Sequence, residues 1–115
     1  MIGGGPTGVE LAGTLAEIAR HTLKREFRRI DPSSARIRLI EAGPRVLASF
    51  PEALSEAARR QLERLGVEVV TGPPVAAIDA HGYRLGDTEQ AARTVLWAAG
   101  VAASPLGALL DAPRD

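Results

Sequence analysis

Apolar residues recur along the first part of the chain at three- and four-residue intervals, at Leu11, Leu15, Ile18, Thr22, Leu23 and Phe27. That spacing predicts one stripe of a long amphipathic helix from about Thr7 to Arg29. Glu17, Arg20, Lys24, Arg25 and Arg28 fall on its solvated side. Gly13 sits mid-helix at a cost of about 1 kcal/mol against alanine, and close approach to a neighbouring strand is the expected reason. Asp31-Pro32-Ser33-Ser34 reads as a turn, and Arg36-Ile37-Arg38-Leu39-Ile40-Glu41 as a strand ending in an acid. Ser49-Phe50-Pro51-Glu52 has the form of a capping box with proline in the first turn. Leu54, Ala58, Leu62 and Leu65 then mark the buried stripe of a second helix, which Gly66 stops at the C′ position. Val67 to Val70 predicts a short strand, and Gly72-Pro73-Pro74 breaks it. Further strands are expected at Val75 to Asp79, Tyr83 to Leu85 and about Ala92 to Ala98, with turns at His81-Gly82 and Gly86-Asp87.

The order of these elements predicts an α/β fold: a Rossmann-like, doubly wound parallel sheet (βαβαβ) with a small antiparallel β-meander. With 115 residues the chain makes one domain, large enough to bury about two-thirds of its unfolded surface. The parallel unit needs a first strand ahead of the glycine-rich run that starts at Gly3. Only Met1 and Ile2 stand there, so the chain is expected to be a fragment lacking most of that strand.

Charge and composition remove several function classes. Lysine and arginine together number 14, as do aspartate and glutamate. With the arginines scattered over helix faces, a nucleic-acid stripe is not expected. The absence of cysteine excludes disulfides, thiolate metal sites and a redox dithiol within this chain. The apolar stretch from Val95 to Ala103 is far short of a membrane span, so no membrane contact is expected from this segment. His21 and His81 have no carboxylate partner at a suggestive spacing and read as surface residues; no metal site is expected.

The candidate chemistry lies in Gly3-Gly4-Gly5-Pro6-Thr7-Gly8. Read as Gly-x-Gly-x-x-Gly opening a helix, it is a turn that cradles the pyrophosphate of a dinucleotide. Gly3 supplies the sharp turn, Gly5 lets the diphosphate reach main-chain N–H groups, and Gly8 lets the helix pack on the strand. The helix start offers N–H donors and the positive end of its dipole, and Pro6 is tolerated there because its missing N–H has no intrahelical use. By itself the motif equally describes a plain glycine-rich turn. Glu41, at the end of the second strand, is placed to accept hydrogen bonds from the adenosine ribose and to repel a 2′-phosphate, selecting NAD(H). It lies further from Gly8 than the usual ~20 residues, the extra length falling in the first helix and the turn after it. A surface glutamate at a strand end is the other reading. Arg45 is a counter-signal, since an arginine nearby can serve a 2′-phosphate.

The segments GGGPTGVELAGTLAEIARHTL, FRRIDPSSARIRLIEAGPRVLASFPE, LGVEV and TVLWAAGVAASPLG resemble type II NADH dehydrogenases, the single-subunit flavoprotein NADH:quinone oxidoreductases. The resemblance runs through nearly the whole chain and covers only the family's NADH-binding domain. It implies that Gly3, Gly4, Gly5, Pro6, Thr7 and Gly8 hold the NADH pyrophosphate and that Glu41 holds the ribose. Glu10 matches a family glutamate lying where nicotinamide meets flavin, a catalytic position; a glutamate that merely complements the helix dipole is the alternative. Ala98-Ala99-Gly100 matches a small-residue turn near the cofactor, where Gly100 lets the backbone approach. Val75 matches a valine near the adenine, although Pro73-Pro74 precede it where the family often has a polar residue. Trp97, within an apolar strand, is expected in the core, the other reading being a stacking platform for the cofactor. The resemblance also implies FAD held mainly by a domain of the same polypeptide outside this chain, quinone as the acceptor, and a cytoplasmic protein seated peripherally on the inner face of the plasma membrane. A homodimer is left open. So are two other readings: the NAD domain of a ferredoxin-reductase or NADH-oxidase type of flavoprotein, and a non-catalytic NAD(H)-binding or sensing module.

Overall fold

The computed structural model describes residues 1–23, 31–102 and 104. Helix α1 spans Pro6–Glu17 and passes into a π-helical turn at Ile18–Thr22. A 3₁₀ turn at Pro32–Ser34 leads into strand β1, Ile37–Glu41. Helix α2, Glu52–Arg64, precedes β2, Val67–Thr71. A meander of β3, Val75–Ile78, β4, Gly82–Leu85, and β5, Thr88–Ala91, comes next. The part of the expected first helix beyond Leu23, Phe27 included, lies outside the described residues.

The parallel layer is built around Ile2. β1 and β2 pair in parallel from Ile37↔Val67 to Glu41↔Thr71. Ile2 forms parallel bridges to Ile40 on one side and to Trp97 on the other. Four backbone hydrogen bonds make these bridges: Gly3 N–H to Ile40 O at 2.8 Å, Ile40 N–H to Met1 O at 3.0 Å, Ile2 N–H to Leu96 O at 2.9 Å and Ala98 N–H to Ile2 O at 2.7 Å. The spatial order is therefore β2, β1, the Met1-Ile2 segment and the segment around Trp97. That is the order of a doubly wound dinucleotide-binding sheet, in agreement with the predicted fold.

α1 packs on one face of this sheet, but not by the stripe that the periodicity predicts. Its buried residues are Gly8, Ala12 and Ala16, whereas Leu11, Leu15 and Ile18 are exposed. Both sets have helical spacing, and what separates them is bulk. The small residues let the helix axis approach β1 closely enough for Leu39 to be sealed completely, in one cluster with Ala12, Ala16, Val46, Leu62 and Val67. Larger side chains on that face would hold the helix off the sheet. Gly13 is also not where the sequence places it. A Cβ there would meet Leu62 and Leu65 at 3.8 and 3.9 Å, ordinary contact with α2, not with a strand.

In α2, Leu62 is buried as expected but Leu54 is exposed; Ser55 takes the buried place, its hydroxyl donating to Val46 O at 2.5 Å. The capping box does not form, because Pro51 occupies the N-cap position and no side chain caps the helix. The other end agrees with the sequence: Gly66, at φ 78°, donates its N–H to Glu63 O at 2.9 Å, the left-handed exit that favours glycine.

The meander is a separate three-stranded antiparallel sheet of order β3-β4-β5. Its last strand has no counterpart in the strands read from the sequence. Thr88-Glu89-Gln90-Ala91 lacks an apolar alternation, yet it pairs with β4 through Leu85↔Thr88, directly across the Gly86-Asp87 turn. The expected strand over Ala92 to Ala98 reduces to the single bridge at Trp97. Arg38 joins the two sheets, donating to Tyr83 Oη and Gln90 Oε1, both at 2.8 Å, and pairing with Glu68 at 2.9 Å. The Tyr83 hydroxyl first, and the Glu68 carboxylate with it, raise the guanidinium's already high pKa.

The packing sets two stability outcomes. Leu39→Ala should cost about 2–5 kcal/mol in denaturant unfolding, and Leu11→Ala, on the exposed face, well under about 1 kcal/mol. Gly13→Ala should raise stability by about 0.5–1 kcal/mol, since the added methyl gains helix propensity and makes ordinary van der Waals contact with Leu62 and Leu65.

Candidate functional site

The carboxyl ends of the parallel segments and the amino end of α1 frame an open groove of about 600 Å³. Its lining comprises Gly3, Gly5, Pro6 and Thr7 of the turn, Glu41 and Ala42 after β1, Pro74 and Val75, and Trp97 to Gly100. Ile2 and Ile40 supply an apolar floor.

Each glycine of the turn has a separable role. Gly3 takes φ 106°, and a Cβ there would fall 2.5 Å from the Ala98 carbonyl and the Ala99 nitrogen. Gly8 lies beneath the turn, where a Cβ would run into the Gly3 carbonyl. These two are fixed by the protein's own backbone. Gly5 is different: its φ is −73° and nothing lies within 4 Å of a Cβ built there. The fold does not require glycine at Gly5, so the space it leaves is available to a ligand. No side chain caps α1, and Pro6 stands at its start. The helix therefore presents uncapped N–H groups and its positive end to the groove.

Glu41 is held at both oxygens. Oε2 accepts from Gly4 N–H at 2.6 Å and Oε1 from Gly43 N–H at 2.7 Å. A Cβ on Gly4 would lie 2.8 Å from the Glu41 Cβ, so glycine at Gly4 is what admits this contact. The loop after β1 is tied to the same point through Leu47 N–H donating to Gly4 O at 2.7 Å. Leu47 reaches that bond at φ 50°, a left-handed conformation seldom taken by a branched side chain.

Of the sequence-derived site residues, Gly3, Gly5, Pro6, Thr7, Glu41, Val75 and Gly100 line the groove, with Gly4 and Gly8 supporting it. Glu10 and Arg45 are not part of its lining. Glu10 is exposed on the second turn of α1. Arg45 donates to the carbonyls of Leu47, Ala48 and Phe50 at 3.3, 2.8 and 2.9 Å, which ties down its own loop. Trp97 overturns its core assignment. It is 63% exposed and lines the groove; among the described residues its strand pairing is the single bridge to Ile2. Ala42 and Pro74 complete the lining without a sequence signal of their own. Among the described residues no group of three His, Cys, Asp or Glu could hold a metal ion, and no helix is long and apolar enough to cross a membrane.

Residues 1–113 match the pyridine nucleotide-disulphide oxidoreductase family. The chain belongs to that family. Within it, the chain is 43% identical over 112 residues to the type II NADH:quinone oxidoreductase Ndh of Mycobacterium tuberculosis, a match covering 93% of this chain and 24% of the relative. It is 42% identical over 120 residues to NdhA of the same organism, covering 100% of this chain and 26% of the relative. The chain thus spans about a quarter of the length of these curated relatives. The structure of NDH2 from Plasmodium falciparum in complex with NADH superposes with a TM-score of 0.66 at 28% identity, over 71% of this chain and 16% of that one. These relatives agree with the type II NADH dehydrogenase resemblance read from the sequence.

The glycine roles separate in a stability measurement. Gly8→Ala should destabilise this oxidoreductase-family domain by about 1–3 kcal/mol or more, because a backbone carbonyl must move. Gly5→Ala should unfold within about 0.5 kcal/mol of the parent, since its methyl points into the open groove.

Proposed function

We propose that this chain is the NADH-binding domain of an FAD-dependent NADH:quinone oxidoreductase. The observation that carries the reading is Glu41, fixed by Gly4 and Gly43 N–H groups at 2.6 and 2.7 Å beside the uncapped helix start. A carboxylate has about four lone-pair positions. Two are taken by the backbone, and two remain for the two donors of a ribose diol. A 2′-phosphate removes one of those two donors and would bring like charge to the same point, so NADH is favoured over NADPH.

In this reading the pyrophosphate lies over Gly5 against the start of α1, where Gly3, Gly4, Pro6, Thr7 and Gly8 shape the turn. The adenosine ribose lies at Glu41 and the adenine near Val75. The nicotinamide lies along the 97–100 segment, where Gly100 lets it approach the backbone. Glu10 would act beyond the groove described here, at the junction with the flavin domain, orienting the nicotinamide or moving protons toward quinone. Arg45 would contribute by holding the loop that carries Gly43. Hydride acceptance and electron delivery to quinone are chemistry that FAD would supply when bound by the rest of the polypeptide. This chain's part is to bind the dinucleotide and aim its ring. The whole protein would sit in the cytoplasm, peripherally on the inner face of the plasma membrane through segments outside this chain, with a homodimer compatible with that arrangement. A ferredoxin-reductase or NADH-oxidase type of flavoprotein would use the same groove. The type II relatives at 42 and 43% identity favour the quinone enzyme.

Calorimetric titration tests the reading. The 115-residue chain, its folding verified by circular dichroism, should bind NADH at least about tenfold more tightly than NADPH. Glu41→Ala should abolish most of that preference, and the flavin-free chain should show no NADH:quinone turnover. Equal affinity for the two nucleotides, or turnover without flavin, would count against it.

A further inference from the structure

The chain's one tryptophan is an unusual occupant of the groove rim. Trp97 is 63% exposed, and its indole N–H is turned onto the Gly100 carbonyl at 3.4 Å. The indole's polar edge thus faces the backbone, while most of the side chain stays open on the groove lining it shares with Ala98 and Ala99. Glu41 closes β1 next to Ile40, and Ile40 and Trp97 bridge Ile2 from opposite sides. Adjacent strands lie about 4.8 Å apart, so the carboxylate and the indole stand on strands roughly 10 Å apart, on either side of the glycine turn.

A ligand with its diphosphate centred on that turn and one ribose on Glu41 must lay its other half on the Trp97 side. We propose that Trp97 is the platform on which the nicotinamide ring rests, and so a positioning and affinity determinant for the reduced dinucleotide. This rests on the dinucleotide reading above and assigns to the indole a task that the glycine turn and Glu41 cannot perform. Those groups grip the ADP-ribose portion, which is common to many nucleotides, and leave the reactive ring ungripped. An offset-stacked indole would fix the plane of the ring from one face and leave the other face, from which hydride departs, uncovered. Stacking of this kind adds a modest increment beyond area burial.

The test uses the 115-residue chain, whose single indole is its own reporter. Tryptophan emission is monitored during titration with NADH and with ADP-ribose, which lacks the nicotinamide. Calorimetry with both ligands is run on the parent, Trp97→Ala and Trp97→Phe. NADH should quench the indole strongly and ADP-ribose little. Trp97→Ala should bind NADH about fivefold more weakly with ADP-ribose affinity unchanged, and Trp97→Phe should recover most of the loss. Unchanged NADH binding by Trp97→Ala, or equal loss for both ligands, would overturn the platform while leaving the dinucleotide groove intact. Failure of the folded parent to bind either ligand would overturn the groove, and the platform with it.

Discussion

The two-sided pairing of Ile2 is the constraint on which the groove depends. Four backbone hydrogen bonds around one residue place it between Ile40 and Trp97. The backbone leaving Ile2 must then emerge between the ends of two neighbouring segments, and the residues that do so are those of the glycine turn. The same bonds bring Glu41 within reach of Gly4 and lay Ala98 against Gly3, where there is no room for a side chain. The glycines are therefore less a free-standing motif than a consequence of three strand ends converging on one point. Gly5 is the exception, open to the groove and free of steric demand from the protein.

Around that point the fold substitutes close approach for hydrophobic bulk. Gly8, Ala12 and Ala16 bring α1 down onto β1, and the cluster they form contains Leu39 and Val46 but none of the helix's own leucines. Arg38 does a comparable job on the meander side, where its guanidinium on β1 meets Glu68, Tyr83 and Gln90 and so couples four strands of two sheets. Leu11, Leu15 and Ile18 remain at the surface.

Where local chemistry has one solution, the sequence is a good guide. The glycine turn, the acid closing β1, the Gly66 exit from α2 and the Gly86-Asp87 turn are all found where their residue types place them. It is a poor guide where two solutions share a period. The stripes 8-12-16 and 11-15-18 are both helical, and only the distance to the sheet decides between them. Ser49 to Glu52 has the letters of a capping box, but Pro51 takes the cap position and Arg45 engages the loop carbonyls instead. β5 is polar because it is an edge strand held by its turn and its ladder, not by burial. Trp97 illustrates a deeper limit. An aromatic residue in an apolar run reads as core, whereas among the described residues Trp97 is bridged by Ile2 alone and stands on the rim.

The pairing of Ile2 with Trp97 also sets when the groove can exist. Helices α1 and α2 are local, and the β1–β2 ladder joins partners 30 residues apart, so both can organise earlier. The glycine turn cannot, because the segment that walls it is separated from it by nearly the whole described chain. Topologies closed by such distant contacts fold slowly. On a ribosome, the groove would stay unformed until the stretch through Ala98 had emerged. The order of synthesis thus places assembly of the groove after the scaffold that must hold it has already settled.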